Sequence, residues 1–334
     1  MHSGQVMYKG KAAMESSNIL KSNPSVGIAV LIPCYNEESS IEKVVQDFKA
    51  SLPEATIYVY DNNSSDKTIE CALRAGAIVR KEPRQGKGNV VRRMFADIDA
   101  EIYVMVDGDD TYEAAAARKL VAELVENQLD MVTGARKAAW EHYRRGHRFG
   151  NVLLTSMVTM VFGRLTEDML SGYRVFSRRF VKSFPLLTTG FEIETELTVH
   201  ALDMRMPIGE IETAYSDRAP GSVSKLSTFR DGFRILALIG ILIKEERPLA
   251  FFGGVGLFLL LVAIGLAIPI VYTYAHTGLV PRFPTAILAT GLVILAVLSA
   301  VCGLILDTVT HGRREAKRMK YLEYSAPDLP GFAL

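Results

Sequence analysis

The sequence predicts an α/β fold: a doubly wound, mostly parallel sheet, then an interfacial helix and a two-helix transmembrane hairpin. Three observations predict it. Short β-rich apolar runs alternate with stretches of helical periodicity from Gly27 to Thr133, the pattern of strand–helix–strand units. Several of those runs stop at clusters of carboxylates and amides, as strands do at the ligand-bearing edge of an α/β sheet. Farther on, Leu249–Tyr274 and Phe283–Leu306 carry no charged side chain, and each is about as long as a bilayer requires.

The elements follow in order. Ile28–Ile32 is a buried strand ending at Pro33. Glu37–Ser51 is helical, with Ile41, Val44, Val45 and Phe48 on one face. Thr56–Tyr60 is the second strand. It runs into Asp61-Asn62-Asn63-Ser64-Ser65-Asp66, a turn that also caps a helix through Leu73. Ala77–Val79 is a short strand, Gly86-Lys87-Gly88 opens a helix, and Ile102–Val106 is a strand. A helix over Ala114–Glu126 leads to a strand at Met131–Thr133. From Ala135 the pattern loosens. Arg136, Arg144, Arg145 and Arg148 stand among Trp140, His142, Tyr143 and His147 in a loop-like stretch suited to a mobile flap. A helix over Asn151–Phe162, a loop over Asp168–Arg174, a helix over Glu192–Leu202 and a strand near Ile208–Tyr215 come next. Glu192, Glu194 and Glu196 read as a salt-bridged helix surface. Arg218, Gly221, Ser222 and Lys225 fall in a polar loop.

Phe229–Ile243 is apolar, with Arg230, Asp231 and Arg234 at its start; it reads as a buried helix or, in preference because spanning segments follow at once, as a helix lying at the membrane surface. The loop between the two spans holds Arg282 alone, whereas His311–Lys320 is basic. The positive-inside rule then puts the C-terminal tail and the large N-terminal domain in the cytoplasm. The resulting organisation is a flexible tail over 1–24, an α/β domain over 25–226, an interfacial helix over 227–247, a hairpin over 248–308 and a basic tail over 309–334.

Composition narrows the class. The chain has 334 residues, a net charge of +1 and 49% hydrophobic residues. Near neutrality argues against a dedicated nucleic-acid binder, which shows a basic stripe with aromatics. Cys34, Cys71 and Cys302 have no pair spacing and no nearby His cluster, so they read as packing residues in a reducing compartment. The first 24 residues carry Lys9, Lys11 and Lys21 and no apolar segment, unlike a signal peptide.

The chemistry concentrates at Asp107-Gly108-Asp109-Asp110, where the run Ile102–Val106 ends. A buried strand cannot take unpaired carboxylates into a core, because desolvating them costs far more than packing returns. Carboxylates held that close repel unless a cation sits between them. A hard divalent cation, Mg²⁺ or Mn²⁺, suits such oxygen ligands. The plainer reading has Asp110 or Thr111 capping the next helix. Asp61, at the same sheet edge, can accept from a base or ribose or serve only as a helix cap. Gly86-Lys87-Gly88, which lacks the P-loop spacing, can offer N–H groups and an ammonium to phosphate or equally form a flexible turn.

Four stretches carry a resemblance. Asp61–Thr68 resembles the D-D-G-S-x-D-x-T motif, with Asn62 and Asn63 replacing the second Asp and the Gly. Asp107-Gly108-Asp109 resembles a D-x-D metal motif. Ser171-Gly172-Tyr173-Arg174 followed by Ser177-Arg178-Arg179 resembles S-G-F-R-x-x-x-R. Ile211–Lys225, with Tyr215, Arg218, Gly221, Ser222, Ser224 and Lys225, is similar to a segment of polyprenyl-phosphate sugar synthases. With Val30–Asn36, these make Gly27–Lys244 resemble family 2 glycosyltransferases of the GT-A (Rossmann-like) fold, of the dolichyl- or undecaprenyl-phosphate type.

The resemblance implies a UDP- or GDP-linked sugar donor, a polyprenyl phosphate acceptor, inversion, and Mg²⁺ or Mn²⁺ held by Asp107 and Asp109. It implies donor contacts from Pro33, Tyr35, Glu37, Asp61, Asn63, Lys87, Asp107 and Gly108. Acceptor contacts fall to Ser171, Arg174, Arg218, Ser222 and Lys225, and catalytic roles to Asp109, Asp168, Arg136 and Arg148. Thr111 stands where some relatives place a third metal ligand. A lipid monophosphate is anionic at neutral pH and needs cationic positioning, which Arg136, Arg148, Arg218 and Lys225 supply. An acceptor hydroxyl on a lipid or glycan would instead need a base, for which Asp168 stands ready. A non-catalytic membrane adaptor needs neither the acids nor the basic group, and a transporter needs a polar path that two uncharged spans do not offer. Relatives of this type also form homo-oligomers through their membrane helices.

Overall fold

The computed structural model describes residues 26–136, 168–185, 193–216, 240–241 and 243–329. The tail over 1–24, the flap with Arg148, the helix over 151–162, Glu192, the loop with Arg218, Ser222 and Lys225, and most of the interfacial helix lie outside them. The sheet has seven strands in the order β3-β2-β1-β4-β6-β5-β7. They are β1 (Val26–Cys34), β2 (Thr56–Asp61), β3 (Ile78–Lys81), β4 (Ala100–Met105), β5 (Met131–Arg136), β6 (Arg174–Ser177) and β7 (Ile208–Thr213). All neighbours pair parallel except β6, which runs antiparallel to both β4 and β5. The expectation of a mostly parallel sheet holds.

Helices cover both faces. On one lie α1 (Ile41–Ser51), α2 (Thr68–Arg74) and α4 (Ala116–Glu126), burying Val44, Val45, Phe48, Leu120 and Val121 against Val30, Ile32 and Val104. On the other lie α3 (Lys87–Asp97), α5 (Arg178–Ser183) and α6 (Ile193–Asp203), burying Met94, Phe95, Phe180 and Leu197 against Leu31 and Tyr103. The central strands are apolar on both sides because both sides are covered.

Several boundaries move from their sequence positions. The helix expected from Glu37 starts at Ile41, because Glu37 opens a turn in which its carbonyl accepts from Ser40 and Ile41 N–H. Arg136 closes β5 instead of opening a loop. Arg174 begins β6, a four-residue strand too short for periodicity to reveal.

Two helices are long and apolar enough to cross a membrane: α7 (Pro248–Thr277) and α8 (Phe283–Leu322). Small residues Gly256 and Ala263 on α7, and Ala289, Ala296 and Gly303 on α8, are buried. Their seven-residue spacing marks one seam, and small side chains let helix backbones approach in an apolar medium. Ser299 donates across it to Phe252 O at 2.8 Å. Cys302 is exposed on the outside of α8, so packing describes only Cys34 and Cys71.

The basic tail expected from 309 is instead the continuation of α8. The helix runs 16 residues beyond Leu306, about 24 Å at the helical rise, and docks on the α/β domain and on the segment just before α7. Arg314 Nη2 lies 2.6 Å from Asp203 Oδ1, Lys317 Nζ lies 3.0 Å from Glu246 Oε1, and Thr310 Oγ1 donates to Glu245 O at 2.9 Å. Tyr321 is buried, donates to Asp130 Oδ2 at 2.8 Å, and lies under the guanidinium groups of Arg179 and Arg318. Burial, with Glu246 nearby, raises the Asp203 pKa above the ordinary carboxylate value, against the pull of Arg314.

Replacing Arg314 by Ala leaves the Asp203 carboxylate, 2% exposed, with only the more distant Lys317. The expected destabilisation is about 2–3 kcal/mol, below the range for a fully buried pair because Arg314 is partly exposed. It reads as a fall in apparent Tm in detergent. His200 supplies a pH test. Burial against Phe180 and Phe184, with Lys317 adding to it, pushes its pKa from 6.5 down to about 3. Below pH 6.5 the unfolded chain binds a proton that the folded one refuses, so this residue makes stability fall as pH drops towards 3. The slope is at most about 1.4 kcal/mol per pH unit. His200→Leu is expected to flatten that limb of a Tm–pH curve.

Candidate functional site

The parallel strands β1, β2 and β4 end together. Their register sets Cys34 beside Asp61 and Leu31 beside Met105, so Pro33–Glu37, Asp61–Asp66 and Asp107–Asp110 share one sheet edge. Tyr35 is exposed there and Pro33 half-buried. Glu37 is buried, with its N–H donating to Thr68 Oγ1 at 2.8 Å. Asp61 is 2% exposed and accepts the Ser64 N–H on both oxygens.

The two asparagines at the motif's variant positions have physical reasons. Asn62 donates to the carbonyls of Glu82 and Arg84 and accepts from Gly86 N–H at 2.7 Å. A carboxylate there could not donate, so the amide fixes the loop that leads into α3. Asn63 sits at φ 66°, a left-handed conformation that Asn tolerates better than most residues. Its amide donates to Pro83 O at 2.8 Å.

That loop delivers Lys87, and here the geometry differs from the expected phosphate contact. Its ammonium lies 2.5 Å from Asp107 Oδ1 and 2.5 Å from Glu194 Oε1 on α6. The Lys87 and Glu194 side chains are 8% and 7% exposed, that of Asp107 30%. Burial alone would lower the lysine pKa, but Asp107 and Glu194 together raise it well above the ordinary lysine value. Glu194 is therefore no surface residue, and Glu196 is also buried. Every residue of α6 from Ile193 to Leu202 is buried. The signal was present in the sequence: Ile193, Leu197, Val199, Ala201 and Leu202 leave no continuous polar face.

The acidic turn is held from all sides. Asp109 is 4% exposed and accepts from Thr111 Oγ1 at 2.6 Å. Ser40 Oγ donates to Gly108 O at 2.7 Å, and a Cβ on Gly108 would stand 2.7 Å from Cys34 Sγ. A Cβ on Gly172 would stand 2.9 Å from Asp107 Cγ, so only glycine lets the backbone of that segment lie against the carboxylate. Asp110 pairs with exposed Lys43 at 2.7 Å. The first turn of α4 has no side-chain cap, so neither Asp110 nor Thr111 plays that part.

Beside the turn, Arg136 forms a fork on Asp168, with Nε to Oδ2 at 2.6 Å and Nη2 to Oδ1 at 2.7 Å. Its guanidinium also lies over the Tyr215 ring, which packs on Tyr112. Tyr112 Oη accepts from Gly172 N–H at 2.9 Å, a role that no motif in the sequence marks. Two expected acceptor residues are corrected. Arg174 is wholly buried, donating to Ser171 O and Thr198 Oγ1 and, at 2.5 Å, to Met169 O. Burial pushes its pKa below the ordinary arginine value. Ser171 is also buried and donates to Gly134 O at 2.6 Å. Both brace the wall behind Asp107 instead of facing a ligand. Among the described residues, no group of three or more His, Cys, Asp or Glu is arranged to hold a metal by itself.

Comparisons with known proteins bear on the family and the fold. The profile described as Glycosyl transferase family 2 matches residues 29–184. Glycosyltransferase AglJ of Haloferax volcanii is 32% identical over 300 residues, covering 89% of this chain and 98% of that protein. A dolichyl-phosphate hexose transferase of the same organism is 29% identical over 222 residues, covering 66% of this chain and 95% of that protein. Among solved structures, glucosyl-3-phosphoglycerate synthase from Mycobacterium tuberculosis, in complex with Mn²⁺, UDP-glucose and phosphoglyceric acid, superposes with a TM-score of 0.54. At 22% identity, over 65% of this chain and 80% of that one, it is a likeness of fold.

The Gly172–Asp107 contact gives a direct test. Gly172→Ala is expected to destabilise the protein by about 1–3 kcal/mol through overpacking, and much less in an Asp107→Ala background. A double-mutant cycle on apparent Tm reads the coupling, expected at about 1 kcal/mol or more.

Proposed function

This chain belongs to glycosyltransferase family 2, and from that premise we propose that it transfers one sugar from a nucleotide diphosphate to a polyprenyl phosphate, of undecaprenyl or dolichyl type, with inversion. The observation that carries this reading is continuity. The acidic turn Asp107–Asp110 belongs to a domain tied to an apolar hairpin by the docked arm of α8. A soluble acceptor would need no such tether. The naming of one relative as a dolichyl-phosphate hexose transferase supports the lipid acceptor.

Asp107 and Asp109 would hold Mg²⁺ or Mn²⁺. Their oxygens suit a hard cation, and the side chain of Asp107 is 30% exposed at the sheet edge, where a nucleotide could reach it. Bound there, the ion supplies charge stabilisation for the departing diphosphate. Pro33, Tyr35, Glu37, Asp61 and Asn63 would frame the nucleoside at the sheet edge, and the start of α3 would offer its N–H groups to the phosphates, with Lys87 beside them on Asp107 and Glu194. Arg136, held in its fork by Asp168, borders the acceptor side. Arg148, Arg218, Ser222 and Lys225 are assigned to the lipid phosphate on charge and motif alone.

The acceptor phosphate oxygen attacks the anomeric carbon as that carbon's bond to the diphosphate breaks, and the electron pair leaves with the nucleotide. In-line displacement inverts the centre. The lipid phosphate is already ionised, so no base is required. That agrees with Asp168, whose two oxygens both lie on Arg136. The topology follows the charge asymmetry: Arg313, Arg314, Lys317, Arg318 and Lys320 flank one end of the hairpin and Arg282 the other, which favours a cytoplasmic catalytic domain.

The test is turnover by purified protein in detergent with UDP- and GDP-sugars, Mg²⁺ or Mn²⁺, and undecaprenyl phosphate. An acid-labile lipid-linked sugar is the expected product. A stable glycosidic product, formed only with a hydroxyl acceptor, would overturn the lipid-phosphate assignment. Asp109→Ala is expected to lower kcat by roughly 10²–10³-fold or more, the scale of losing one transition-state stabiliser, with an unchanged melting profile.

A further inference from the structure

Lys87 and the divalent cation assigned above compete for one carboxylate. The ammonium already sits 2.5 Å from Asp107 Oδ1. The Gly172 backbone packs against the other oxygen of Asp107, where a Cβ would clash with Oδ2. Two cations sharing that carboxylate repel strongly in a partly buried site. Yet Lys87 is buried and cannot be left without an anion. Its second partner, Glu194, answers that need from a different element, α6.

We propose that Lys87 is an exchangeable internal counter-cation and that Glu194 is the positioning residue that makes the exchange feasible. In the donor-free protein, Lys87 neutralises Asp107. When metal and nucleotide arrive, the metal takes Asp107, and Lys87 swings towards the diphosphate while Glu194 keeps it paired. Glu194 thus acts through Lys87 and contacts neither metal nor sugar. The proposal rests on the metal-dependent reading given above.

The test is Mn²⁺ affinity of the full chain in detergent, measured by EPR of free Mn²⁺ with and without UDP, for wild type, Lys87→Met, Glu194→Gln and the double variant. Circular-dichroism melts check folding, and Lys87→Gln serves as a second variant if Lys87→Met does not fold. Removing the competitor is expected to tighten Mn²⁺ binding in Lys87→Met by about tenfold, the scale of a like charge removed at close range. Glu194→Gln leaves Lys87 with Asp107 alone and is expected to weaken Mn²⁺ binding several-fold, as loss of a buried counter-charge predicts. In the double variant the Glu194→Gln effect should vanish. A merely structural Glu194 would weaken binding in both backgrounds, which would overturn the proposal. Unchanged or weaker Mn²⁺ binding by Lys87→Met, in a protein whose wild type binds Mn²⁺, would overturn the exchange alone. A wild type that binds no Mn²⁺ in the presence of UDP would overturn the exchange together with the metal reading.

Discussion

The structure depends on one electrostatic constraint: carboxylates gathered at a sheet edge must be neutralised. Asp107 and Asp109 stand two residues apart on one turn, and Glu194 reaches the same place from α6. Two like charges about 4 Å apart repel by about 4 kcal/mol at the effective dielectric of a protein surface. Lys87 bridges Asp107 and Glu194, while Thr111 donates to Asp109. The surrounding features serve that arrangement. Asn62 fixes the loop that presents Lys87, Gly172 pins Asp107, and buried Arg174 braces the segment that carries Gly172.

A second constraint comes from the membrane-type hairpin. The arm of α8 ties the α/β domain to the hairpin through contacts spread over Asp203, Glu246, Asp130 and Arg179; under the proposed lipid acceptor, that tether would hold the site at a fixed distance from the hairpin. Helix and arm are one continuous element, so tilt of the hairpin is transmitted to the domain without an intervening hinge.

The strands were legible because both faces of this sheet are covered, which leaves unbroken apolar runs such as Ile28–Ile32 and Ile102–Val106. The hairpin was legible for the simplest reason, the absence of charge over two long segments. The acidic turn was legible because adjacent carboxylates at the end of a buried strand must meet either solvent or a cation at the sheet edge. Three features escaped. β6 is four residues long and buried throughout, so no periodicity marks it. Glu194 was hidden by a local rule, since glutamates spaced along a helix ordinarily face water, and its partner Lys87 is 107 residues away. The arm was hidden because clustered basic residues read as a solvated tail, while Asp203 and Glu246 that receive them lie in other elements. Ser171 and Arg174 were recognised by motif and misread in role: the motif keeps them, but as packing beneath the site.

The position of a divalent cation at the sheet edge decides whether the acids of the turn hold metal. Crystals or single particles prepared with Mn²⁺ and a uridine or guanosine nucleotide would locate it, by anomalous scattering or density. The predicted result is an ion between Asp109 and Asp107, on the nucleotide diphosphate, with Lys87 moved off Asp107 and still paired to Glu194. Nucleotide bound at the sheet edge with no ion at that turn, and Lys87 still seated on Asp107, would contradict it.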